Sequence, residues 1–300
     1  MRIGIDLGGS HIETGLIDGD KIIDQTDKIF VQEDRKNIRK VIQDTAIQMI
    51  NDILEKNKIS KYDIELVGIA SPGIISKKTI VKATNLALEE FCLCEAIEEA
   101  TGINTQIRND AKCAALAEKK YGVLKDYKDC VFVGIGTGIG GAVFLNDKLL
   151  EPDRNEGFEI GHMVIEANGR PCSCGKKGCF ETYVSIRALK QRVTSILGVS
   201  SDISGQYLRE NLLILDDERV QEEVESFLNY LRIGLGNLID IFEPEAICLG
   251  GSFAYYEGNP ILDKLREKMK EPNTTFTNSK TPKLLTAHFK NDAGIIGATI

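Results

Sequence analysis

The 300-residue chain contains no run of about 18 consecutive apolar residues, so no membrane-spanning helix is expected from it. It lacks a basic tail and a basic block. Asp and Glu number 45 against 37 Lys and Arg, a formal charge of −8. That balance argues against a broad electrostatic footprint for DNA or RNA. The start, MRIGIDLGGS, has an Arg, an early Asp and no apolar core of the length a secretory signal needs. The expected compartment is the cytoplasm, where cysteines serve as thiols or metal ligands more often than as disulfides. No low-complexity linker and no clean internal repeat are found. G-x-x-x-x-G-K-[ST] is absent, which excludes a P-loop nucleotide site.

What is present reads as a soluble α/β chain. Hydrophobic residues make up 42% and charged residues 27%, the balance of a globular protein, and the length suits two domains or lobes. RIGIDLG, HIETGLID and KIIDQTDKIF read as a β-meander of two hairpins. Residues 35–57 place Ile38, Val41, Ile42, Ala46, Met49, Ile50 and Ile53 at helical spacing. IELVGIA (64–70) and TQIRND (105–110) read as strands, EEFCLCEAIEEATG (89–102) and AKCAALAEKKYG (111–122) as helices ended by glycine. CVFVGIG and GAVFLNDKLL form a second hairpin. Helical patterns follow over 181–197 and 216–242, EAICLGG and LLTAHF read as strands, and 292–300 as a last helix. Strands alternate with helices in both halves, which predicts an α/β class. Each half also has a strand ending in a Gly-rich turn, GIDLGGS and VGIGTGIGG.

GTGIGG (136–141) contains G-x-G-x-x-G, but strand-like residues follow it. A dinucleotide fingerprint needs a helix there, so that reading fails. What remains is a hairpin turn whose N–H groups, with Thr137 and Gly138, can cradle phosphate oxygens. DLGGS (6–10) is a second such turn. Gly8 and Gly9 let a phosphate approach, Ser10 offers a hydroxyl, and Asp6 is placed to hold magnesium, directly or through water. LGGS (249–252) is a third, with Gly250 and Gly251. Three glycine turns at strand ends, one headed by Asp, suit a nucleotide in a cleft between two lobes. Asp110 opens a helix in RNDA (108–111). By itself that residue reads as a helix N-cap or as a base.

These turns, RNDA, and the segment EIGHMVIEANGRPCSCGKKGCFET (159–182) together resemble the ROK family (repressors, open reading frames and kinases) along the whole chain, through the closing GIIGA. The resemblance implies a two-lobed actin-like and hexokinase-like (ribonuclease H-like) ATPase fold with an interlobe cleft. The small lobe would cover 1–112 with the C-terminal helix 291–300, and the large lobe 113–290. Repressors of the family carry a DNA-binding region ahead of DLGGS; five residues precede Asp6 here, so the resemblance points to the kinase branch. It implies Asp110 as the base that accepts the sugar hydroxyl proton. It implies a sugar site of Gly73, Asn85, Asn109, Asp110, Glu159, His162 and Glu181, since carboxylates and amides pair with adjacent hydroxyls. Gly250 and Gly251 would approach the adenosine. His11 departs from the family, where Lys is frequent, and reads as a solvated strand residue.

His162, Cys172, Cys174 and Cys179 have the spacing H-x9-C-x-C-x4-C. One imidazole and three thiolates make a closed tetrahedral zinc site with no open position for a reactive water, hence a structural one. His162 could also offer its second ring nitrogen to the sugar. The zinc deaminase signatures H-x-E and P-C-x-x-C are both missed; a disulfide with a free thiol, or a loop without metal, are the other readings. Cys92 and Cys94 read as ordinary thiols, and Cys113, Cys130 and Cys248 as core.

The expected activity is transfer of the γ-phosphate of ATP to the 6-hydroxyl of a hexose with ATP, magnesium and structural zinc. Lobe closure would exclude water as competing acceptor. Glucose ranks first, then N-acetylmannosamine, then fructose or mannose. A non-catalytic sugar-binding regulator and a zinc-dependent hydrolase are the alternatives. A homodimer or homotetramer is expected, with no nucleic acid and no membrane partner.

Overall fold

A computed structural model describes residues 1–151, 158–270 and 281–300. They divide into two compact units. The first holds 1–122 and 291–300 with Glu151; the second holds 123–150, 158–270 and 281–290. The first unit thus keeps the helix that runs past residue 112.

In the first unit a five-stranded sheet has the order β3-β2-β1-β4-β8. β1 (Arg2–Leu7), β2 (His11–Asp18) and β3 (Lys21–Ile29) are the expected antiparallel meander. β4 (Leu66–Ser71) runs parallel to β1, and β8 (Thr105–Asn109) parallel to β4. Successive strand residues face opposite sides, and the burial follows that rule. Ile3, Ile5, Leu7, Val67, Ile69 and Ile107 share one core with Ile42, Ala46, Ile50 and Ile53 of α1 (Ile38–Asn57). The alternate residues Arg2, Gly4, Asp6, Gly68, Ala70 and Gln106 face α9 (Ala293–Ala298). Gly4 and Gly68 have to be glycine. A Cβ there would collide with the carbonyls of Ile295 and Ala298, and one at Gly297 with that of Cys113 in α3 (Asp110–Lys120). The closing GIIGA is therefore a packing motif that lays α9 flat on the sheet.

Two stretches differ from the sequence reading. A small sheet of β5 (Ile74–Ser76), β6 (Thr79–Ala83) and β7 (Leu88–Phe91) was not anticipated. The helix expected over 89–102 begins only at Leu93 (α2, Leu93–Thr101), because Leu88 and Phe91 are buried and pair with Ala83 and Ile80 on β6. That cross-strand burial outweighs the helical spacing of the segment.

The second unit repeats the strand plan. β9 (Cys130–Ile135), β10 (Ile139–Leu145) and β11 (Lys148–Leu149) form an antiparallel meander; β12 (Ala246–Gly250) and β13 (Lys283–Thr286) continue in parallel, in the order β11-β10-β9-β12-β13. The shared glycine-turn echo of the sequence is thus a duplicated topology without a clean sequence repeat. Val131, Val133, Ile135, Ile247 and Leu249 join a core with α5 (Ile186–Leu197), α7 (Glu218–Phe242) and α8 (Pro260–Lys268). Each fully buried Ile or Leu contributes about 1.5–3 kcal/mol. The helix expected over 181–197 is broken at Ser185. There the backbone is extended, α4 (Glu181–Val184) ends, and the Ser185 hydroxyl accepts the Ala188 N–H at 3.2 Å to start α5. α6 (Gly205–Tyr207) runs into a π turn over Leu208–Leu212. No helix among the described residues is long and apolar enough to cross a membrane.

Candidate functional site

The first unit gathers its candidate residues at one edge. β1, β4 and β8 are parallel neighbours with Asp6 paired to Ala70 and Ser71 to Asn109. The DLGGS turn, the SPG turn and the RNDA helix start therefore all leave the carboxyl ends of adjacent strands, where open α/β sheets place their ligands. In the DLGGS turn the Gly8 N–H donates to the His11 carbonyl at 2.9 Å. Among the described residues the N–H groups of Gly9 and Ser10 have no acceptor. His11 is half-buried with its ring against Gly8, so close that a Cβ there would meet it. The expectation of a solvated strand residue is corrected: the missing glycine side chain leaves a flat face that the imidazole covers.

Asn109, not Asp110, is the cap of α3. Its Oδ1 accepts from Ala111 N–H at 3.0 Å and Lys112 N–H at 3.3 Å, and its Nδ2 donates to the Gly73 carbonyl at 3.3 Å. Gly73 has φ +88°, and a Cβ there would collide with the Lys82 carbonyl. Asp110 is thus exposed in the first turn, with the Ala111 N–H at 2.8 Å from its Oδ1. Asn85 sits on a short helical turn (Thr84–Leu86), with its Nδ2 3.1 Å from where a Cβ on Gly9 would lie.

Asp6 faces the first turn of α9, where Gly294 leaves room for its carboxylate. Part of its surface is accessible, yet its carboxyl group is enclosed by protein. Burial first, then the carboxylates of Asp110 and Glu13, push it up to about 7. In the unfolded chain an Asp titrates near ~4. Folded Asp6 keeps its proton to higher pH, so stability falls as pH rises from ~4 to about 7 and the loss is complete above that. Asp6→Asn should therefore raise the metal-free thermal midpoint by about 4 °C at pH 8 and by less at pH 5. Paired unfolding scans check this; an equal shift at both values would refute it.

In the second unit, β9 and β12 are parallel neighbours with Gly134 paired to Gly250, so the GTG and LGGS turns also lie side by side. Ser252 Oγ is 3.8 Å from where a Cβ on Gly136 would lie. Gly251 has φ +62°. Among the described residues the N–H groups of Thr137 and Gly138 have no acceptor. The spacing of GTGIGG has a packing cause, since a Cβ on Gly141 would collide with Ile160 and one on Gly161 with the Ile139 carbonyl. Glu181 leans into the GTG turn: its Oε2 accepts the Ile139 N–H at 2.9 Å, and Arg187 stands 3.7 Å from its Oε1.

Glu159 and His162 share one helical turn, where the His162 N–H donates to the Glu159 carbonyl at 2.9 Å. His162, Cys172, Cys174 and Cys179 place one ligand atom each within 4.8 Å of one another. Nδ1 of His162 is 3.5 Å from Cys172 Sγ, and Cys174 Sγ is 3.6 Å from Cys179 Sγ. Glycines at 175 and 178, φ +89° and +78°, make the tight loop between the cysteines. Burial and the adjacent thiols raise Cys179 to about 12, whereas the Lys176 N–H lowers Cys174. A borderline-soft cation that binds thiolates fits this donor set.

Three residues near these turns were missed. Arg35 reaches the DLGGS turn, Arg187 flanks Glu181, and Gly294 makes room for Asp6. Only Gly294, a small residue opening the final helix, left a trace in sequence; the other two depend on contacts between segments far apart in the chain. The expected thiols behave as read: Cys94, Cys113, Cys130 and Cys248 are buried and Cys92 is exposed.

Sequence comparison shows the family. The ROK family model matches residues 2–300, and the chain belongs to the ROK family. A glucokinase from Streptomyces coelicolor is 27% identical across 99% of this chain and 96% of its own length. A xylose repressor from Bacillus subtilis is 32% identical across 89% of this chain and 68% of its own. The crystal structure of a ROK family glucokinase from Streptomyces griseus in complex with glucose and AMPPNP superposes with a TM-score of 0.82 at 27% identity, covering 99% and 97% of the two chains. The fold is that of the actin-like ATPases, and the chain is a ROK-family sugar kinase or regulator.

Proposed function

We propose that the protein is an ATP-dependent hexose kinase acting on the 6-hydroxyl, with glucose the favoured acceptor. One observation carries the reading: the parallel strand ends bring Asp110 close enough to raise the Asp6 carboxyl, beside unpaired turn N–H groups. A protein that only binds sugar has no need of two mutually repelling carboxylates.

Asp110 accepts the proton of the attacking hydroxyl. Asn109 holds the capping role at the start of α3 and leaves the Asp110 carboxylate to act as base. Glu159, Glu181 and the Nε2 edge of His162 orient the sugar, Asn85 and Asn109 add amide contacts, and the turns at Gly8–Ser10, Thr137–Gly138 and Gly250–Gly251 receive the nucleotide. Glu181 would exchange its bond to the Ile139 N–H for a sugar hydroxyl. Asp6 would hold magnesium through its carboxylate form, and the ion when bound would supply neutralisation of phosphate charge. His162, Cys172, Cys174 and Cys179 would hold a structural zinc. N-acetylmannosamine and fructose stand as the alternative acceptors.

The second reading is a sugar-responsive regulator, favoured by the likeness to a xylose repressor. ADP release with Mg-ATP across glucose, N-acetylmannosamine, mannose, fructose, N-acetylglucosamine and xylose separates the two. The expected result is turnover on glucose at least about tenfold above the others. Folded, zinc-replete protein that binds xylose and turns over no sugar would replace the kinase with the regulator.

A further inference from the structure

Arg35 lies outside every motif discussed above. Its place is built by the chain ahead of it. The Phe30 N–H donates to the Ser10 carbonyl at 2.8 Å, which ties the end of β3 to the DLGGS turn. Asp34 then closes a turn on Val31: its Oδ2 accepts the Val31 N–H at 2.9 Å and its own N–H donates to the Val31 carbonyl at 3.1 Å. From that turn the guanidinium donates through Nη2 to the Gly9 carbonyl at 2.6 Å and through Nη1 to the Asn85 carbonyl at 3.5 Å. The Asn85 amide in turn lies against Gly9. The Arg35 side chain is exposed, so these bonds fill no core.

A turn with two adjacent glycines has more backbone freedom than any other pair would give it. In a trans peptide the carbonyl of one residue and the N–H of the next point in opposite directions. Holding the Gly9 carbonyl therefore fixes the Ser10 N–H as well, aimed away from the guanidinium. That N–H has no acceptor among the described residues. A planar fork reaching two carbonyls suits the task better than a single ammonium.

We infer that Arg35 is a positioning residue: it locks the Gly9–Ser10 peptide in the orientation that receives a phosphate and holds the Asn85 segment against the same turn. The inference rests on the kinase reading. Arg35 touches neither reacting atoms nor substrate, and it acts by pre-ordering the turn.

The test compares wild type, Arg35→Ala and Arg35→Lys in steady-state kinetics and in calorimetric titration with Mg-AMPPNP. Arg35→Ala should raise the KM for Mg-ATP about tenfold and weaken Mg-AMPPNP by the same factor, the worth of about one charged hydrogen bond. kcat should stay within about twofold and the thermal midpoint should hardly move. Arg35→Lys, which can reach one carbonyl, should recover part of the loss. Unchanged KM and nucleotide affinity in Arg35→Ala, beside an active wild type, overturn this inference alone. So does a loss of kcat matched by a loss of thermal stability, which marks a merely structural residue. A wild type that neither binds Mg-AMPPNP nor phosphorylates a sugar overturns both the inference and the kinase reading.

Discussion

Asp110→Asn is expected to lower kcat about a thousandfold while leaving glucose affinity within about threefold. A positioned general base contributes roughly 10²–10⁴ in rate, and the amide keeps the size and one acceptor oxygen of the carboxylate while losing its basicity. The structure weakens one rival explanation, that Asp110 acts as the cap of its helix. Had Asp110 been the cap of α3, its replacement would have cost helix stability, about 1 kcal/mol. The cap is Asn109, which accepts both the Ala111 and Lys112 N–H groups, so the thermal midpoint should move by little. A second readout is independent of turnover. The Asp110 carboxylate is one cause of the raised Asp6 pKa, so the variant should shift the Asp6 titration downward from about 7. Isothermal titration with glucose, stopped kinetics and a pH series on the same sample separate the three effects. A variant that keeps more than a tenth of the wild-type kcat would remove Asp110 from the role of base.

Much of this candidate arrangement was legible as sequence because its strand ends, glycine turns and cysteines are short, local signals. DLGGS, GTG and LGGS each join a strand end to glycines, and a strand end followed by glycine is a local pattern. The cysteine loop was legible for the same reason: its four candidate ligands lie within one segment, and Gly175 and Gly178 supply the positive φ that the tight loop demands. What escaped was whatever depends on two distant segments. β5, β6 and β7 are short strands defined by pairing with each other, not by their own periodicity. EEFCLCEAIEEATG has helical spacing throughout, yet Phe91 is taken by Ile80 across the small sheet. Asn109 and Asp110 are both good caps, and only the backbone at Asn109, φ −61° and ψ 140°, decides between them. Glu181 was read as a sugar contact from its place in the motif; its bond to the Ile139 N–H, which joins it to the GTG turn 42 residues away, was not foreseen. Arg35 has no motif at all. Its meaning comes from a carbonyl 26 residues earlier.

Stripping the metal should unfold the cysteine loop and abolish turnover together, with a fall in thermal midpoint of about 10 °C or more, and added zinc should restore both. Structural zinc contributes roughly 10 kcal/mol or more to the segment that binds it, which is on the scale of a whole domain's stability. Among the described residues, the individual hydrogen bonds of this loop, at roughly 1 kcal/mol each, fall short of that. Cys174 is exposed, Cys172 only half-buried, and the bonds that close the loop, Cys172 N–H to the Lys176 carbonyl and Gly175 N–H to the Cys172 carbonyl, are short-range and solvent-facing. Cys179, by contrast, is buried and holds its proton to about 12 in the absence of a cation. Metal binding must therefore release protons, and apparent affinity should rise with pH. The activity loss follows from where the ligands sit. Glu159 precedes His162 by one helical turn and Glu181 follows Cys179 by two residues, so a freed loop releases two of the proposed sugar contacts at once. Cys174→Ser should reproduce the chelator's effect in milder form, because its serine keeps the loop's volume and loses the thiolate. Cys92→Ala, at an exposed cysteine outside the cluster, should leave midpoint and turnover unchanged. Unfolding scans and turnover on the same chelated sample give the decision. Lost turnover with an unchanged midpoint would mean an open, reactive metal in place of the closed one, and two unchanged readings would mean that the four ligands hold their loop without an ion.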